Sequence, residues 1–150
     1  MSPPKQKLAK PEPGLVIRYS YLWVQEHREG REEGTKDRPC AIIFATHNHD
    51  GETQVLVVPV THSPPENIAA ALELPPAVKL HLGLDSDRSW VVLSESNLFD
   101  WPGPDLRRIG DRDDGSIAYG FLPPRLFTEL RRRFLALEAA ARSQRVQRTD

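Results

Sequence analysis

Arg38-Pro39-Cys40-Ala41-Ile42-Ile43-Phe44-Ala45-Thr46-His47, then Asn48-His49-Asp50-Gly51, then Glu52-Thr53-Gln54-Val55-Leu56-Val57-Val58-Pro59-Val60-Thr61, read as two strands joined by a turn. Asp-Gly favours positive φ and closes hairpins. The continuous apolar run from Cys40 to Ala45 predicts a strand buried on both faces. Each strand has a polar group at its mouth, the guanidinium of Arg38 and the hydroxyl of Thr61. A permanent cation beside a neutral hydroxyl is suited to gripping a phosphate. The plainer alternative is a surface ion pair at Arg38 and a simple strand end at Thr61.

Upstream, Gly14 to Trp23 predicts a first strand. Leu15, Ile17, Tyr19, Tyr21 and Trp23 are its larger and more apolar set, and the period of two assigns them to the core. Val24 to Asp37 holds five acidic residues against three basic ones and His27, with Gly30 and Gly34. It has no hydrophobic period and reads as a solvated loop, of a length that is often functional.

Downstream, His62 to Ala71 is a Pro-rich loop with room for a helical turn. Pro75 to Gly83 predicts a short helix, with proline at its start and glycine at its stop. Ser89 to Ser96 predicts a strand around Trp90-Val91-Val92-Leu93, and Pro102-Gly103-Pro104 interrupts a further strand region between Asn97 and Ile109. From Pro123 to about Arg142, Leu126, Leu130, Phe134, Leu137 and Ala141 recur at helical steps, with Phe127 and Leu135 widening the stripe. Arg131-Arg132-Arg133 falls largely off it and reads as a solvated face or as a contact for an acidic partner. Short antiparallel strands with one packed helix make the chain mainly β (α+β), a small barrel or half-barrel with a short internal helix and a packed C-terminal helix. The expected division is a disordered arm at 1–12, a barrel domain at 13–145 and a polar tail at 146–150.

The 150 residues suit one core, and the net charge of −1 gives no general affinity for polyanions or membranes. The charge is uneven, however. Pro123 to Asp150 has seven arginines against Glu129, Glu138 and Asp150, whereas residues 1–122 carry 13 basic and 18 acidic side chains. The single Cys40 lies in an apolar run, where a buried, inert thiol fits a reducing cytoplasm. Met1 to Pro13 has three lysines, four prolines and no hydrophobic region, so it reads as a loose arm rather than a secretory signal. No apolar stretch reaches the roughly 20 residues needed to span a bilayer.

The sequence has no Gly-rich phosphate loop, no dinucleotide fingerprint and no nucleophile elbow around Ser63 or Ser94. His47 and His49 stand two apart at the turn, with Asp50 the nearest third ligand, and a solvated turn is the better reading than a metal site. No cofactor and no metal are expected.

The order of these signals resembles the PemK/MazF family of toxins from type II toxin–antitoxin modules. The resemblance rests on Pro13-Gly14-Leu15-Val16-Ile17, the charged glycine-containing loop, Lys36-Asp37-Arg38-Pro39-Cys40-Ala41-Ile42-Ile43, Val55 to Thr61, Trp90-Val91-Val92-Leu93-Ser94-Glu95 and the C-terminal helix. It covers roughly residues 13–137. It implies a small SH3-like barrel, commonly a homodimer, that cleaves single-stranded RNA without a metal and is neutralised by a cognate antitoxin. It also implies roles for Arg38 and Thr61 at the phosphate, and for Glu95 as general base. Lys36, His27 and His62 are substrate-binding candidates, and either histidine can serve as acid or base near neutral pH. Glu95-Ser96-Asn97 and Leu93 depart from the family pattern, where an Asp-Gln pair and, in some members, an arginine stand. A catalytically degenerate module that binds RNA or a protein partner is the rival expectation.

Overall fold

The computed structural model describes residues 9–48, 50–110 and 115–148. In chain order its elements are β1 (Leu15–Ser20), α1 (Val24–Arg28), β2 (Asp37–His47), β3 (Thr53–Thr61), a 3₁₀ turn (Ile68–Ala70), β4 (Ala71–Glu73), α2 (Pro76–Leu82), β5 (Trp90–Val92), β6 (Glu95–Trp101), β7 (Ala118–Phe121), α3 (Pro124–Ala139) and β8 (Gln144–Gln147).

The central hairpin is β2–β3, in register from Cys40 opposite Pro59 to His47 opposite Thr53. Its turn is held by the Asn48 side chain, whose Oδ1 accepts from the N–H groups of Asp50 and Glu52 at 3.1 and 2.9 Å. Gly51 takes φ 80°, which an L side chain rarely adopts. The register slips between Ile42 and Phe44, a bulge that adds local twist.

β3 is the hub of the sheet. One edge pairs with β2; the other pairs with β6 over Thr53–Val57 and with β5 over Val60–Thr61. Pro59, with no N–H to offer, falls at the handover between those two partners, so the change of strand loses no donor there. β1 extends the sheet beyond β2, and β7 extends it beyond β1. The result is a mainly β fold with three helices, in which an eight-stranded sheet curls into a half-barrel, antiparallel except for the β6–β8 pair.

Both faces of β2 are buried. Cys40 and Ile42 join Ile17, Tyr19, Val57 and Phe99 in one core; Ala41 and Ile43 join Val58, Leu82, Leu130 and Phe134 in the other. Burial pushes the Cys40 thiol well above its usual range, so it is an inert packing group. From Leu15 to Leu22 burial is not confined to the single apolar face expected: Val16, Ser20 and Leu22 are buried as well as Leu15, Ile17, Tyr19 and Tyr21, and Val16 packs in the second core.

Other expectations are corrected. The charged segment opens with helix α1, because Glu26 folds back on it: its Oε1 accepts from Trp23 N–H and its Oε2 from Thr35 N–H, both at 3.1 Å. Beyond Pro104 the described chain meets β1 at an isolated bridge, Leu106 to Tyr19, and the further strand is β7. α3 ends at Ala139 rather than near Arg142, and Ala141 at φ 55° turns the chain back. Leu135 is exposed on that helix, whereas Leu130 and Phe134 are fully buried.

The polar tail is in part a strand. Val146 is buried in β8, and the Arg148 side chain is 3% exposed, 3.0 Å from Asp105. A polar sequence enters the sheet here because Arg148 finds acceptors on Tyr19, Ser20, Asn97 and Glu32. Residues 1–8 of the expected arm, His49 and residues 149–150 lie outside the described residues. Among the described residues no helix is long and apolar enough to cross a membrane.

Candidate functional site

Antiparallel pairing brings the start of β2 to the end of β3. Arg38 stands two residues before Cys40 and Thr61 two beyond Pro59, the last registered pair of the hairpin. Both line a cleft of about 490 Å³ together with Arg18, Lys36, His62 and Asp85. Three permanent cations against the carboxylates of Asp37 and Asp85 leave the lining with an excess of positive charge, suited to an anion.

Arg38 is half-buried, and its position is fixed on two sides. Nη1 donates to the Val60 carbonyl at 3.3 Å, and the guanidinium stacks over the Trp23 ring at 4.9 Å. Its Nε is buried and has no hydrogen-bond partner among the described residues. Arg18 has the same unmatched Nε; among the described residues its Nη2 lies 3.9 Å from Asp37 Oδ2. Two unsatisfied guanidinium donors at one cleft are costly unless a ligand or water meets them. Thr61 Oγ1 accepts from Ser63 N–H at 3.2 Å, which leaves its own proton free to donate. Lys36 is exposed at the rim.

His62 lines the same cleft with both ring nitrogens occupied. Nε2 lies 2.9 Å from Asp85 Oδ2. Nδ1 lies 3.1 Å from Ser89 Oγ and 3.0 Å from the Arg88 carbonyl. The ring can therefore accept from the Ser89 hydroxyl when neutral and donate to Arg88 when protonated, without turning. Behind it the buried Lys79 ammonium donates to Asp85 Oδ1 at 2.8 Å, to Ser89 Oγ at 2.7 Å and to the Asp87 carbonyl. Partial burial works against ionisation of Asp85, but the Lys79 hydrogen bond and the His62 and Lys79 charges outweigh it and hold the carboxyl below its usual range. His62, Asp85 and Asp87 have metal-ligating atoms within 4.8 Å of one another. Lys79 already supplies the cation for that group.

The other expected residues do not join them. Glu95 lies at the start of β6 and lines a neighbouring cleft with Trp23. Its Oε1 accepts from Tyr21 Oη at 3.0 Å and from Val24 N–H at 2.9 Å. Burial raises its carboxyl above the usual range, with those two donors opposing the shift. His27 is exposed on α1 and lines neither cleft. Where the family pattern carries an Asp-Gln pair, Asn97 is fully buried and structural: it exchanges hydrogen bonds with the Leu22 backbone at 2.9 and 2.8 Å. At the hairpin turn, His47 Nδ1 is taken by Thr53 Oγ1 at 2.8 Å; His49 lies outside the described residues. The arginine run is largely engaged locally, Arg132 and Arg133 on Glu129 and Arg131 over Phe44.

Sequence reasoning missed Arg18, Lys79 and Asp85. Arg18 is legible once β1 is paired with β2, since it registers opposite Pro39, next to Arg38. Lys79 and Asp85 carry no such signal, because only tertiary packing buries a lysine on α2. Comparison with protein-family models and with curated proteins finds no match.

Proposed function

We propose that this chain is a PemK/MazF-like, SH3-like barrel that cleaves single-stranded RNA without a metal. The observation that carries this reading is the convergence of Arg38, Thr61, Arg18 and Lys36 on one cleft. RNA brings its own nucleophile, the 2′-hydroxyl. Its oxygen attacks phosphorus, the bond to the 5′-oxygen breaks, and the products are a 2′,3′-cyclic phosphate and a 5′-hydroxyl. Charge grows on the non-bridging oxygens, where Arg38 and Arg18 donate through N–H groups and Thr61 through its hydroxyl. The proton acceptor for the 2′-hydroxyl is His62, next to Thr61, once its Nδ1 exchanges Ser89 for the substrate; it then returns the proton to the leaving 5′-oxygen while Asp85 holds Nε2. Glu95, in the neighbouring cleft behind Trp23, is better suited to substrate recognition than to the base role.

A cognate antitoxin would block this cleft with an acidic extended segment, and a homodimer in the cytoplasm is part of the same reading. The test is incubation of purified protein with single-stranded RNA in EDTA. Cleavage to cyclic phosphate and 5′-hydroxyl ends, with DNA of the same sequence intact, is expected. Cleavage only with added metal overturns the reading. Binding without cleavage instead favours the degenerate module, a reading supported by the full occupation of both His62 nitrogens by protein partners.

A further inference from the structure

A second cleft, of about 460 Å³, opens beside the first. Ser63 lines both, and Arg38 of the first stacks on Trp23 of the second. Pro64, Val92 and Leu137 give it apolar walls, and Glu66, Glu95 and Arg142 are its charged groups. That size falls in the range of small-molecule sites and is enough for a single ring system.

Glu95 is a prepared acceptor. The Tyr21 and Val24 donors both hold Oε1, so the carboxylate is fixed in place. Oε2 has no donor among the described residues. Arg142 is exposed at the same cleft.

Resting on the phosphate reading of the first cleft, we propose that the second cleft is a base-binding subsite for the nucleotide whose phosphate Arg38 and Thr61 grip. Trp23 supplies the aromatic surface, Glu95 Oε2 accepts an N–H from the base edge, and Arg142 meets the next phosphate along the strand. Continuity supports this: a ligand anchored at Arg38 reaches the second cleft by passing Trp23, on which Arg38 itself lies. Aromatic side chains beside a basic groove are the usual means of holding single strands. The carboxylate adds selectivity. Guanine, adenine and cytosine each offer an exocyclic amino group. The one N–H on uracil's pairing edge sits between two carbonyl oxygens, which a carboxylate repels.

The test is titration of the full chain with the four nucleoside 3′-monophosphates and with inorganic phosphate, followed by calorimetry. Guanosine, adenosine and cytidine monophosphates are expected to bind about tenfold tighter than inorganic phosphate or the uridine nucleotide, within the range that base–aromatic stacking provides. Glu95→Gln keeps an oxygen for Tyr21 and Val24 but replaces the free acceptor with an amide. It should erase the discrimination against uridine and leave inorganic phosphate binding unchanged. Trp23→Phe should retain most of the nucleotide affinity, and Trp23→Ala should reduce it to the level of inorganic phosphate. If all four nucleotides bind like inorganic phosphate, or if the discrimination survives Glu95→Gln, the base subsite is overturned while the phosphate cleft stands. If wild-type protein binds neither phosphate nor nucleotide, both readings fall together.

Discussion

The guanidinium of Arg38 lies 4.9 Å from the centre of the Trp23 ring, and this stack is the partition between the two clefts. It holds the cation over an indole, while Nη1 is taken by the Val60 carbonyl and Nη2 is left for a ligand.

On the proposed reading, Arg38→Ala should lower RNA cleavage by about a hundredfold or more, the scale seen when a transition-state donor is removed. Arg38→Lys should recover little of it, since an ammonium supplies neither the fork nor the stack. Both variants should unfold within about 1 kcal/mol of wild type, because the stack is half exposed. Cleavage rates and denaturant melts on the same preparations check this.

Asp85 is held ionised by Lys79 and His62, and its folded-state carboxyl is lowered. The stability it contributes is present above the ordinary carboxylate range and is lost as pH falls through the lower folded value. Asp85→Asn should destabilise the chain at about pH 7 by roughly 1–3 kcal/mol, since the buried Lys79 ammonium loses its charged acceptor. The gap to wild type should shrink as the pH is lowered towards that folded value. Urea midpoints measured along this descent test the sign.

Glu95 shifts the other way. Burial raises its carboxyl, so the folded state holds the proton more tightly than the unfolded chain. Its contribution is most favourable below the ordinary carboxylate range and declines as pH rises through the raised folded value. Glu95→Gln should therefore melt higher than wild type at neutral pH, with the difference vanishing in acid. A variant that melts lower at neutral pH would show that the carboxylate is needed by Tyr21 and Val24 more than burial penalises it.

Arg148 is nearly enclosed, with Asp105 at 3.0 Å and acceptors on four other residues. Arg148→Met should cost about 3–5 kcal/mol, the range for breaking a buried ion pair from one side. Thermal and urea unfolding measure it. Near-neutral behaviour would mean that Asp105 is readily rehydrated.

The hairpin, the short helix and α3 were legible because each carries its own local signal: Asp50-Gly51, the Pro75–Gly83 bracket, and the spacing of Leu130 and Phe134. The strands that were not legible are those whose partners are distant in sequence. β7 and β8 are four residues each, too short for a period, and their pairing with β1 and β6 is decided by tertiary contacts. Helix α1 was hidden in the same way, since one buried glutamate organises a segment with no apolar pattern. At the candidate site, Arg38, Thr61, His62 and Lys36 meet because they flank one hairpin. Glu95 belongs to a different strand on the far side of Trp23, and no spacing rule carried that separation.

The reach of Arg148 also sets an order of events during synthesis. Its guanidinium ties the Glu32 carbonyl, in the charged segment between α1 and β2, to Ser20 at the end of β1. The residues that line the two clefts, Arg142 the latest of them, are all made before residue 148. Until that residue emerges, the charged segment lacks its far anchor. The charged segment that leads into Arg38 is therefore among the first of the described elements to be made and among the last to be fastened.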